Sequence, residues 1–419
     1  MSKTREKIEQ LISFVSRYKW AVIFIIFGIL VRLLLMPIAV HDDMLSSTWR
    51  DYAYIFRGNL KIDDLLDLAM AGYLKLFRPL FSELPSMLDR ARANLATGTV
   101  AYDTFVNSRV ALRYLFFLKI PYLIFDLASL AVIWKILEDR QQKLRGVIFW
   151  ALNPALLFAT FMWGRFETLP IFLTLLAFLF AYKKNPQASI AVLSLAISAR
   201  TGYVLFLPFF LIYFARDWKQ ILTYSIIGLL PMFVTSHLFG IFGGGGLLDT
   251  LQGGFFDFTI SGQISTGFTS IAINALTFPL ILFLFWTKKE NMTFKRLVSF
   301  STIGVLSFFA FSFFHPQYLA WVTPALVLAF ALNKKIIWPI IILMISYFFM
   351  IDMYFGFGRT TGLFAPLNYS FFSTLGGLAN QSFFANWSGT TLLTIFHSIF
   401  VLMIAVISFI LYQDENKTK

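Results

Sequence analysis

The segment that decides the fold class is KWAVIFIIFGILVRLLLMPIAV, residues 19–40, whose only charged side chains are Lys19 and Arg32. A helix that crosses a bilayer needs about 20 apolar residues, which is the length of this run. Across all 419 residues, 58% are hydrophobic and only 14% are charged, and the mean hydropathy is +0.72. Soluble globular proteins carry about 25% charged residues. The sequence therefore predicts a polytopic membrane protein and argues against a soluble enzyme or a disordered chain.

Further apolar runs predict one integral-membrane domain over residues 1–419, an all-α bundle of about 10–12 transmembrane helices. In this scheme residues 19–40 form the first span, residues 41–111 form an outer connection, and residues 112–412 hold the remaining spans. Between Leu60 and Leu88 apolar residues recur at helical spacing, which predicts amphipathic interfacial helices in that connection. The other predicted spans cover residues 112–136, 147–163, 167–182, 187–199 with 201–215, 220–241, 268–287, 297–314, 317–333, 336–355 and 390–412.

The basic residues orient this bundle. Lys and Arg gather in alternate short connections, which the positive-inside rule places on the cytoplasmic side. Both termini are then cytoplasmic, and the long connections at 41–111, 242–267 and 356–389 are extracytoplasmic. The net charge of +13 thus reflects topology, and a nucleic-acid partner is not expected. Because no retention signal is seen, the plasma membrane is expected rather than the endoplasmic reticulum. There is no Cys, which excludes disulfides and thiolate chemistry.

Three polar groups follow spans on the predicted outer side. The first is an acidic pair after the first span, the second is an Arg and a Glu in the motif WGRFE, and the third is the motif HPQY. Ionisable groups near membrane depth are costly and mark functional sites. The residues concerned are Asp42, Asp43, Arg165, Glu167, His315, Gln317 and Tyr318.

Each group has more than one interpretation. The acidic pair suits a general base, a ligand set for Mg²⁺ or Mn²⁺, or a solvated helix cap. The Arg and Glu either face the same cavity as the acidic pair or form an interfacial ion pair beside a Trp anchor. The His, Gln and Tyr offer hydrogen-bonding groups for a phosphate or sugar hydroxyls, although Tyr is also ordinary at a membrane interface.

Four of the charged residues within the apolar runs bear on the site or on packing. Lys119 and Asp126 are two helical turns apart on one face, with Lys119 nearer the outer end, where it can meet an anionic leaving group. Asp126 lies deeper and suits a structural role. Arg200 needs a phosphate or an acidic partner, because an uncompensated buried Arg is costly. Arg32 is expected to extend its side chain towards an interface.

Together these groups favour group transfer from an anionic lipid carrier on the outer side. A carboxylate would deprotonate an acceptor hydroxyl, and cations would stabilise the charge on the departing phosphate. The sequence contains neither a G-x-x-x-x-G-K-[ST] nor a G-x-G-x-x-G loop. A donor delivered within the membrane is therefore expected rather than a nucleotide sugar.

The order of these motifs resembles the GT-C superfamily of integral-membrane glycosyltransferases, and within it the polyprenyl-phosphate-mannose-dependent mannosyltransferases. Arg165 and Glu167 depart from the family pattern, which often has Gln and Asp there, and Arg200 stands where the family often has Lys. The motifs that carry the resemblance are Asp42-Asp43, Lys119-Ile120-Pro121 with Asp126, Asn153-Pro154, Trp163–Glu167, Ala199-Arg200 with Pro208, His315–Tyr318 and Trp321–Pro324.

The resemblance implies a GT-C-like bundle that transfers a sugar, expected to be mannose, from a polyprenyl-phosphate donor with inversion. The acceptor would be a hydroxyl of a lipid, glycan or protein on the extracytoplasmic or lumenal side. Asp42 or Asp43 would be the catalytic base. The implied donor-phosphate contacts are Arg200, Lys119 and His315, and the implied sugar and acceptor pocket is formed by Arg165, Glu167, Gln317 and Tyr318.

Two other classes of protein remain open. A secondary transporter or flippase of a lipid-linked sugar explains the spans and buried cations, but it leaves the long outer connection without a purpose. A non-catalytic subunit of a glycosylation complex would not need ionisable groups concentrated on one side. No cofactor is required for the expected chemistry, because cations can neutralise a leaving phosphate, although the acidic pair could hold Mg²⁺ or Mn²⁺.

Overall fold

The structure is a computed structural model of the chain. The described residues are 6, 13, 15–57, 64–87, 102–241, 263–265, 270–312, 315–355, 360–372, 374–375 and 389–416. The outer connections predicted at 41–111, 242–267 and 356–389 therefore lie partly outside the described residues.

Helices dominate the described residues, as the sequence predicts. Five of them are long and apolar enough to cross a membrane, so the chain is a helical membrane protein. Several other predicted spans form shorter apolar helices, so the expected total of about 10–12 spans stays a prediction. The five long helical stretches, three of which join consecutive elements numbered separately below, cover Lys19–Ile38, Ala111–Ile136, Arg140–Met162, Lys334–Tyr354 and Thr391–Glu415.

We number the α-helices in chain order. The first nine are α1 (Lys19–Ile38), α2 (Asp42–Arg57), α3 (Leu65–Leu76), α4 (Tyr102–Val106), α5 (Ala111–Leu118), α6 (Ile120–Ile136), α7 (Arg140–Leu152), α8 (Pro154–Leu156) and α9 (Thr168–Tyr182). The later helices are α10 (Pro186–Ala199), α11 (Leu207–Phe214), α12 (Trp218–Ile241), α13 (Ile273–Trp286), α14 (Phe294–Ala310), α15 (Tyr318–Leu332), α16 (Ile337–Phe355), α17 (Tyr369–Phe372) and α18 (Gly389–Asn416).

Shorter elements connect these helices. A small antiparallel ribbon pairs β1 (Gln263–Ser265) with β2 (Ser270–Ala272). A π-helical turn at Leu157–Met162 continues α8 towards the second outer motif. The 3₁₀ turns cover Arg78–Phe81, Thr201–Phe206, Lys289–Asn291, Lys334–Ile336 and Thr361–Phe364.

Short polar side chains begin several of these helices. Asp139 accepts hydrogen bonds from the backbone N–H groups of Gln141 and Gln142 at the start of α7. Asn185 caps α10 in the same way, and Pro186 occupies the first helical position. Such caps satisfy backbone donors that the first turn of a helix leaves free. The polar breaks between apolar runs are therefore helix boundaries.

The helices enclose one large apolar core. α9 lies against α6 and α10, α15 lies against α7 and α14, and α16 lies against α18. Two smaller apolar clusters attach α2, α3 and α5 to the bundle, one around Met44 and Leu115 and the other around Tyr122 and Phe161. These clusters fix the described parts of residues 41–111 onto the end of the bundle, where the candidate site lies.

Large apolar side chains cover the outward faces of several helices. A soluble monomer rarely exposes a continuous apolar surface of this extent, whereas contact with lipid favours it. Side chains that are more than half exposed include Leu34 on α1, Leu222 on α12, Leu280 on α13, Trp338 on α16 and Leu402 on α18.

The predicted amphipathic segment between Leu60 and Leu88 divides into a helix and a separate turn. Within α3, Leu66 and Leu74 are buried against the bundle. Leu76, at the end of α3, is 74% exposed. Part of the apolar stripe predicted from the sequence therefore packs against the protein, and later residues of the stripe, Leu76, Phe77 and Leu80, stay exposed.

The structure differs from the expectation that the Arg32 side chain extends towards an interface. Its side chain is fully buried rather than extended to an interface. Nε of Arg32 donates to Oδ2 of Asp126, and Nη2 donates to the carbonyl oxygen of Trp150 at 2.8 Å. Trp150 Nε1 in turn donates to Oδ1 of Asp126 at 3.1 Å. Asp126 thus has the structural role that its depth in the span suggested.

Candidate functional site

The acidic pair forms the first turn of α2. The backbone N–H of His41 donates to the carbonyl oxygen of Trp163 at 3.2 Å, which fixes the chain just before the pair. The side chains of Asp42 and Asp43 remain 41% and 34% exposed. The pair therefore combines a fixed backbone with accessible carboxylates.

His41 directly precedes the acidic pair, and its side chain is buried. Its Nδ1 is 2.7 Å from Oδ1 of Asp42 and 3.6 Å from Oδ2 of Asp43. The backbone N–H of Asp43 donates to this Nδ1 at 3.1 Å, so Nδ1 is a hydrogen-bond acceptor in the cluster.

That hydrogen bond bears on metal binding. The His41, Asp42 and Asp43 side chains offer ligand atoms within 4.8 Å of one another. The lone pair of Nδ1 is occupied by the backbone N–H of Asp43 and is not free for a metal ion. Mg²⁺ also prefers oxygen ligands in octahedral geometry. The donor set fits a hydrogen-bonded cluster better than an Mg²⁺ site.

Gly164 brings the second motif against the first. Its φ of +92° lies in a region that glycine adopts readily. A Cβ at this position would also lie 2.3 Å from Sδ of Met44 in α2. This close approach places Nη2 of Arg165 3.7 Å from Oδ2 of Asp43. The structure thus brings Arg165 and the acidic pair together at one surface.

Glu167 and Arg200 form the inner wall of the site. Glu167 is fully buried, and its Oε2 accepts a hydrogen bond from Nε1 of Trp321 at 2.8 Å. Nε of Arg200 lies 3.4 Å from Oε1 of Glu167, and Nη1 of Arg200 donates to Oδ2 of Asp64 at 2.7 Å. The sequence predicted that Arg200 meets either a phosphate or an acidic partner. In the structure it has two acidic partners, Glu167 and Asp64.

The Lys119 side chain connects the backbone before the acidic pair to the backbone before the WGRFE motif. It is fully buried between α5 and α6. Its Nζ donates to the carbonyl oxygens of Ala39 at 2.5 Å and Phe161 at 2.7 Å, which lie just before the acidic pair and the WGRFE turn. This position departs from the expected contact with a donor phosphate. It favours a role in aligning the two motifs.

The third motif meets the others through Trp163. The rings of His41 and His315 lie 4.9 and 5.3 Å from the Trp163 ring, and His315 also contacts Tyr318 at 5.2 Å. Oε1 of Gln317 is buried and has no hydrogen-bond partner in the described part of the chain. Buried polar atoms are normally satisfied, so an unsatisfied one beside a candidate site indicates a position for a ligand group.

Sequence reasoning missed two residues of the site, Asp51 and Asp64. Asp64 caps α3 through Oδ1 while its Oδ2 binds Arg200. An Asp directly before an apolar run is a helix-start signal that could have drawn attention to it. Asp51 is 3% exposed, and burial with the nearby Asp67 carboxylate raises its pKa well above the usual range. No sequence signal marks this burial, because it depends on how α2 packs.

Comparisons with known proteins assign no family to the chain. No protein-family model, curated protein or solved structure matches it. The site is therefore judged by its own chemistry, which combines two accessible carboxylates, two guanidinium groups and aromatic walls. Such groups can accept a proton from a hydroxyl and neutralise a phosphate leaving group.

Proposed function

We propose that this protein is a GT-C-like glycosyltransferase that uses a polyprenyl-phosphate sugar, with mannose as the favoured sugar. An acceptor hydroxyl oxygen attacks the anomeric carbon, and the bond between that carbon and the lipid phosphate oxygen breaks. The hydroxyl proton passes to Asp42 or Asp43, and polyprenyl phosphate leaves with the bonding electron pair. Attack opposite the leaving group inverts the anomeric centre.

The observation that carries this proposal is the pairing of accessible carboxylates with guanidinium groups at one surface. Asp42 and Asp43 are open enough to meet a hydroxyl, and Arg165 lies beside Asp43. Arg200 retains 25% side-chain exposure despite its two acidic partners. A general base needs access to the acceptor, and a departing phosphate needs fixed positive charge nearby. Both requirements are met within neighbouring motifs.

The remaining residues support this arrangement in different ways. Arg200 and His315 are proposed to contact the donor phosphate, and Gln317 and Tyr318 to contact the sugar or acceptor. Lys119 is proposed to position the acidic pair and the WGRFE motif, because its ammonium donates hydrogen bonds to the backbone carbonyls just before them. Arg165 and Glu167 would shape the pocket beside the acidic pair.

The proposed reaction takes place at a membrane. The donor is a lipid, the acceptor is a lipid, glycan or protein, and the site is extracytoplasmic with both termini cytoplasmic. The plasma membrane is favoured over the endoplasmic reticulum. No metal is required in this mechanism, because Arg200 and Arg165 supply the positive charge. Activity that is lost with EDTA and restored by Mg²⁺ or Mn²⁺ would contradict that part of the proposal.

The decisive experiment gives the purified protein a radiolabelled polyprenyl-phosphate mannose and membrane lipids, and measures radiolabelled product. Asp42→Asn, Asp43→Asn and the double variant test the base. We expect the double variant to lose transfer by about 10²–10⁴-fold, the contribution typical of general base catalysis. Donor binding should persist, since the guanidinium groups remain.

The matched control is Asp103→Asn, which removes an exposed carboxylate of α4 and should leave transfer unchanged. Full activity in both single variants and the double variant would refute the assignment of the base. Movement of the lipid-linked sugar across vesicles without a new glycosidic bond would favour a flippase. Absence of both transfer and transport would favour the non-catalytic subunit.

A further inference from the structure

A polar cavity of about 440 Å³ lies at the far end of α9 and α10 from the candidate site. α9 begins beside Glu167 and α10 ends at Arg200, whereas Lys184 and Pro186, between the two helices, line the cavity. With a rise of 1.5 Å per residue, these helices separate the two places by about 20 Å. The cavity is therefore not part of the proposed catalytic site.

Three cations line this cavity. They are Lys184, Arg216 and Lys289, and no acidic side chain is among the residues that line it. Within the described ranges, none of these three cations has a carboxylate partner. The nearby carboxylate of Asp217 accepts a hydrogen bond from the backbone N–H of Gln220 at the start of α12. Uncompensated positive charge in a concave site favours an anionic ligand.

The charged groups of the cavity are hydrogen-bond donors. Nζ of Lys184 donates to the hydroxyl oxygen of Tyr213 at 2.7 Å, so the Tyr213 hydroxyl keeps its own hydrogen for another acceptor. Tyr224 and Gln220 line the same space. Ammonium, guanidinium and hydroxyl donors match the acceptor oxygens of a phosphate group. The ligand indicated is therefore a phosphate rather than a cation or a neutral sugar.

The backbone at Lys184 is a separate observation. Its φ is +57°, and it is the one non-glycine residue with positive φ in the described part of the chain. It follows the end of α9, at a position where glycine is strongly preferred. A lysine is strained there, so the residue contributes something that glycine would not, namely an ammonium group at the cavity.

Apolar surface beside the cavity indicates the source of the phosphate. Phe214 and Met292 line its wall. Trp218 and Leu222 on the neighbouring α12 are 68% and 53% exposed, and Trp286 at the end of α13 is 54% exposed. Acyl chains can lie along such a surface while the headgroup enters the charged cavity. We propose that this cavity binds the phosphate headgroup of an anionic phospholipid.

The experiment measures the unfolding midpoint of the purified protein in a neutral detergent as lipid is added. We expect phosphatidylglycerol to raise the midpoint by several degrees in a saturable way, because a ligand that binds only the folded state stabilises it. Phosphatidylcholine, whose headgroup has no net charge, should not. Glycerol 3-phosphate should need at least a hundredfold higher concentration, because it lacks the acyl chains.

Two pairs of variants locate the effect. K184Q/K289Q removes two cavity cations and should require at least tenfold more phosphatidylglycerol for the same shift. K183Q/K334Q removes two charges at neighbouring helix ends but outside the cavity, and it should behave as the unmodified protein. The single variant Lys184→Gly relieves the backbone strain, so it should fold at least as stably without lipid yet bind the lipid more weakly.

Three outcomes would overturn the proposal. Equal loss of the shift in both double variants would indicate a general charge effect rather than this cavity. Equal potency of glycerol 3-phosphate and phosphatidylglycerol would indicate a soluble phosphate ligand. Unchanged lipid affinity in Lys184→Gly would remove the role assigned to the ammonium group.

Discussion

Asp51 is a carboxylate whose burial conflicts with its charge. It lies on α2 near Asp64 and Asp67, and its Oδ1 has no hydrogen-bond partner in the part of the chain described. Desolvation raises its pKa, and the Asp67 carboxylate adds to that effect. A buried carboxyl group of this kind is most stable in its protonated form.

The raised pKa of Asp51 predicts a pH-dependent stability. On folding, this pKa rises from its ordinary value of 3.8, so the folded state binds more protons than the unfolded state between pH 3.8 and the raised pKa. The contribution of Asp51 to stability is therefore largest at low pH and is lost as pH rises through the folded pKa. Each tenfold change in the acid dissociation constant corresponds to about 1.4 kcal/mol. The free energy of unfolding of Asp51→Asn should equal that of the unmodified protein near pH 4 and should be larger at pH 8.

Thermal unfolding in detergent at pH 4.5, 6 and 8 measures this difference. Glu290→Gln is the control, because it neutralises an exposed carboxylate and should shift the midpoint little at any pH. A constant difference between Asp51→Asn and the unmodified protein across this range would show that Asp51 does not titrate as predicted.

Gly202 supports the inner wall of the candidate site. A Cβ at this position would lie 2.2 Å from Cζ3 of Trp321, whose indole N–H binds Glu167. Gly202→Ala should displace the indole, lower stability by about 1–3 kcal/mol and weaken transfer. Gly72→Ala is the control, since no heavy atom lies within 4 Å of the added Cβ. Unfolding midpoints measure the loss of stability, and product formation measures the loss of transfer. A Gly202→Ala protein with the stability and transfer activity of the unmodified protein would refute this packing argument.

The site residues differ in how far the sequence could identify them. Asp42, Arg165 and His315 stand out because each follows an apolar run in a short polar turn. The pairing of Arg200 with Asp64 could not be predicted, because the two are 136 residues apart and meet only when α3 packs against α10. Lys119 was identified as a buried charge, but its partners are backbone carbonyls, which carry no sequence signal.

At the scale of elements, Arg32 ties three helices together. Its guanidinium on α1 binds Asp126 on α6 and the backbone of Trp150 on α7, and it lies 3.9 Å over the Trp150 ring. Gly28 on α1 allows this approach, since a Cβ there would lie 2.9 Å from the Trp150 ring. A fully hydrogen-bonded buried pair of this kind fixes how helices align.

The pair predicts a non-additive mutant cycle. Asp126→Leu leaves the Arg32 charge buried without a counter-ion and should lower stability by about 3–5 kcal/mol. The double variant Arg32→Met/Asp126→Leu removes both charges and should recover most of that loss. Unfolding midpoints of the two single variants and the double variant measure the coupling. A double variant that is less stable than Asp126→Leu would contradict the cost assigned to the unpaired Arg32 charge.

The sequence predicts long elements better than short ones. The long helix at Lys19–Ile38 lies within the predicted span at 19–40, because a continuous apolar run and a helix have the same extent. The interfacial helices are less predictable. α3 buries Leu66 and exposes Leu76, because its apolar residues serve both the bundle and the surrounding surface.

At the scale of the whole molecule, two ends of the bundle differ in charge. One end carries the candidate site, with carboxylates and guanidinium groups in contact. The other carries the cavity of Lys184, Arg216 and Lys289, whose cations have no described carboxylate partner. The positive-inside rule predicts that this second end faces the cytoplasm.

The absence of Cys from the sequence makes this orientation directly testable. Ser82→Cys places a single thiol in the first outer connection, and Lys183→Cys places one between α9 and α10; both positions are exposed. In intact cells a membrane-impermeant maleimide should label the Ser82→Cys protein and not the Lys183→Cys protein. Opening the cells should expose both thiols. Labelling of Lys183→Cys in intact cells would reverse the predicted orientation.

The buried pair of Arg32 and Asp126 also constrains biogenesis. Ribosomes add about 5–20 residues per second, and Asp126 follows Arg32 by 94 residues. For about 5–20 s of synthesis, α1 therefore carries a cation whose counter-ion does not yet exist. An Arg at the centre of a membrane helix costs about 2.5–3.5 kcal/mol during insertion. The first helix is thus expected to stay beside the insertion machinery until α6 and α7 arrive, so that the three helices enter the lipid as a unit.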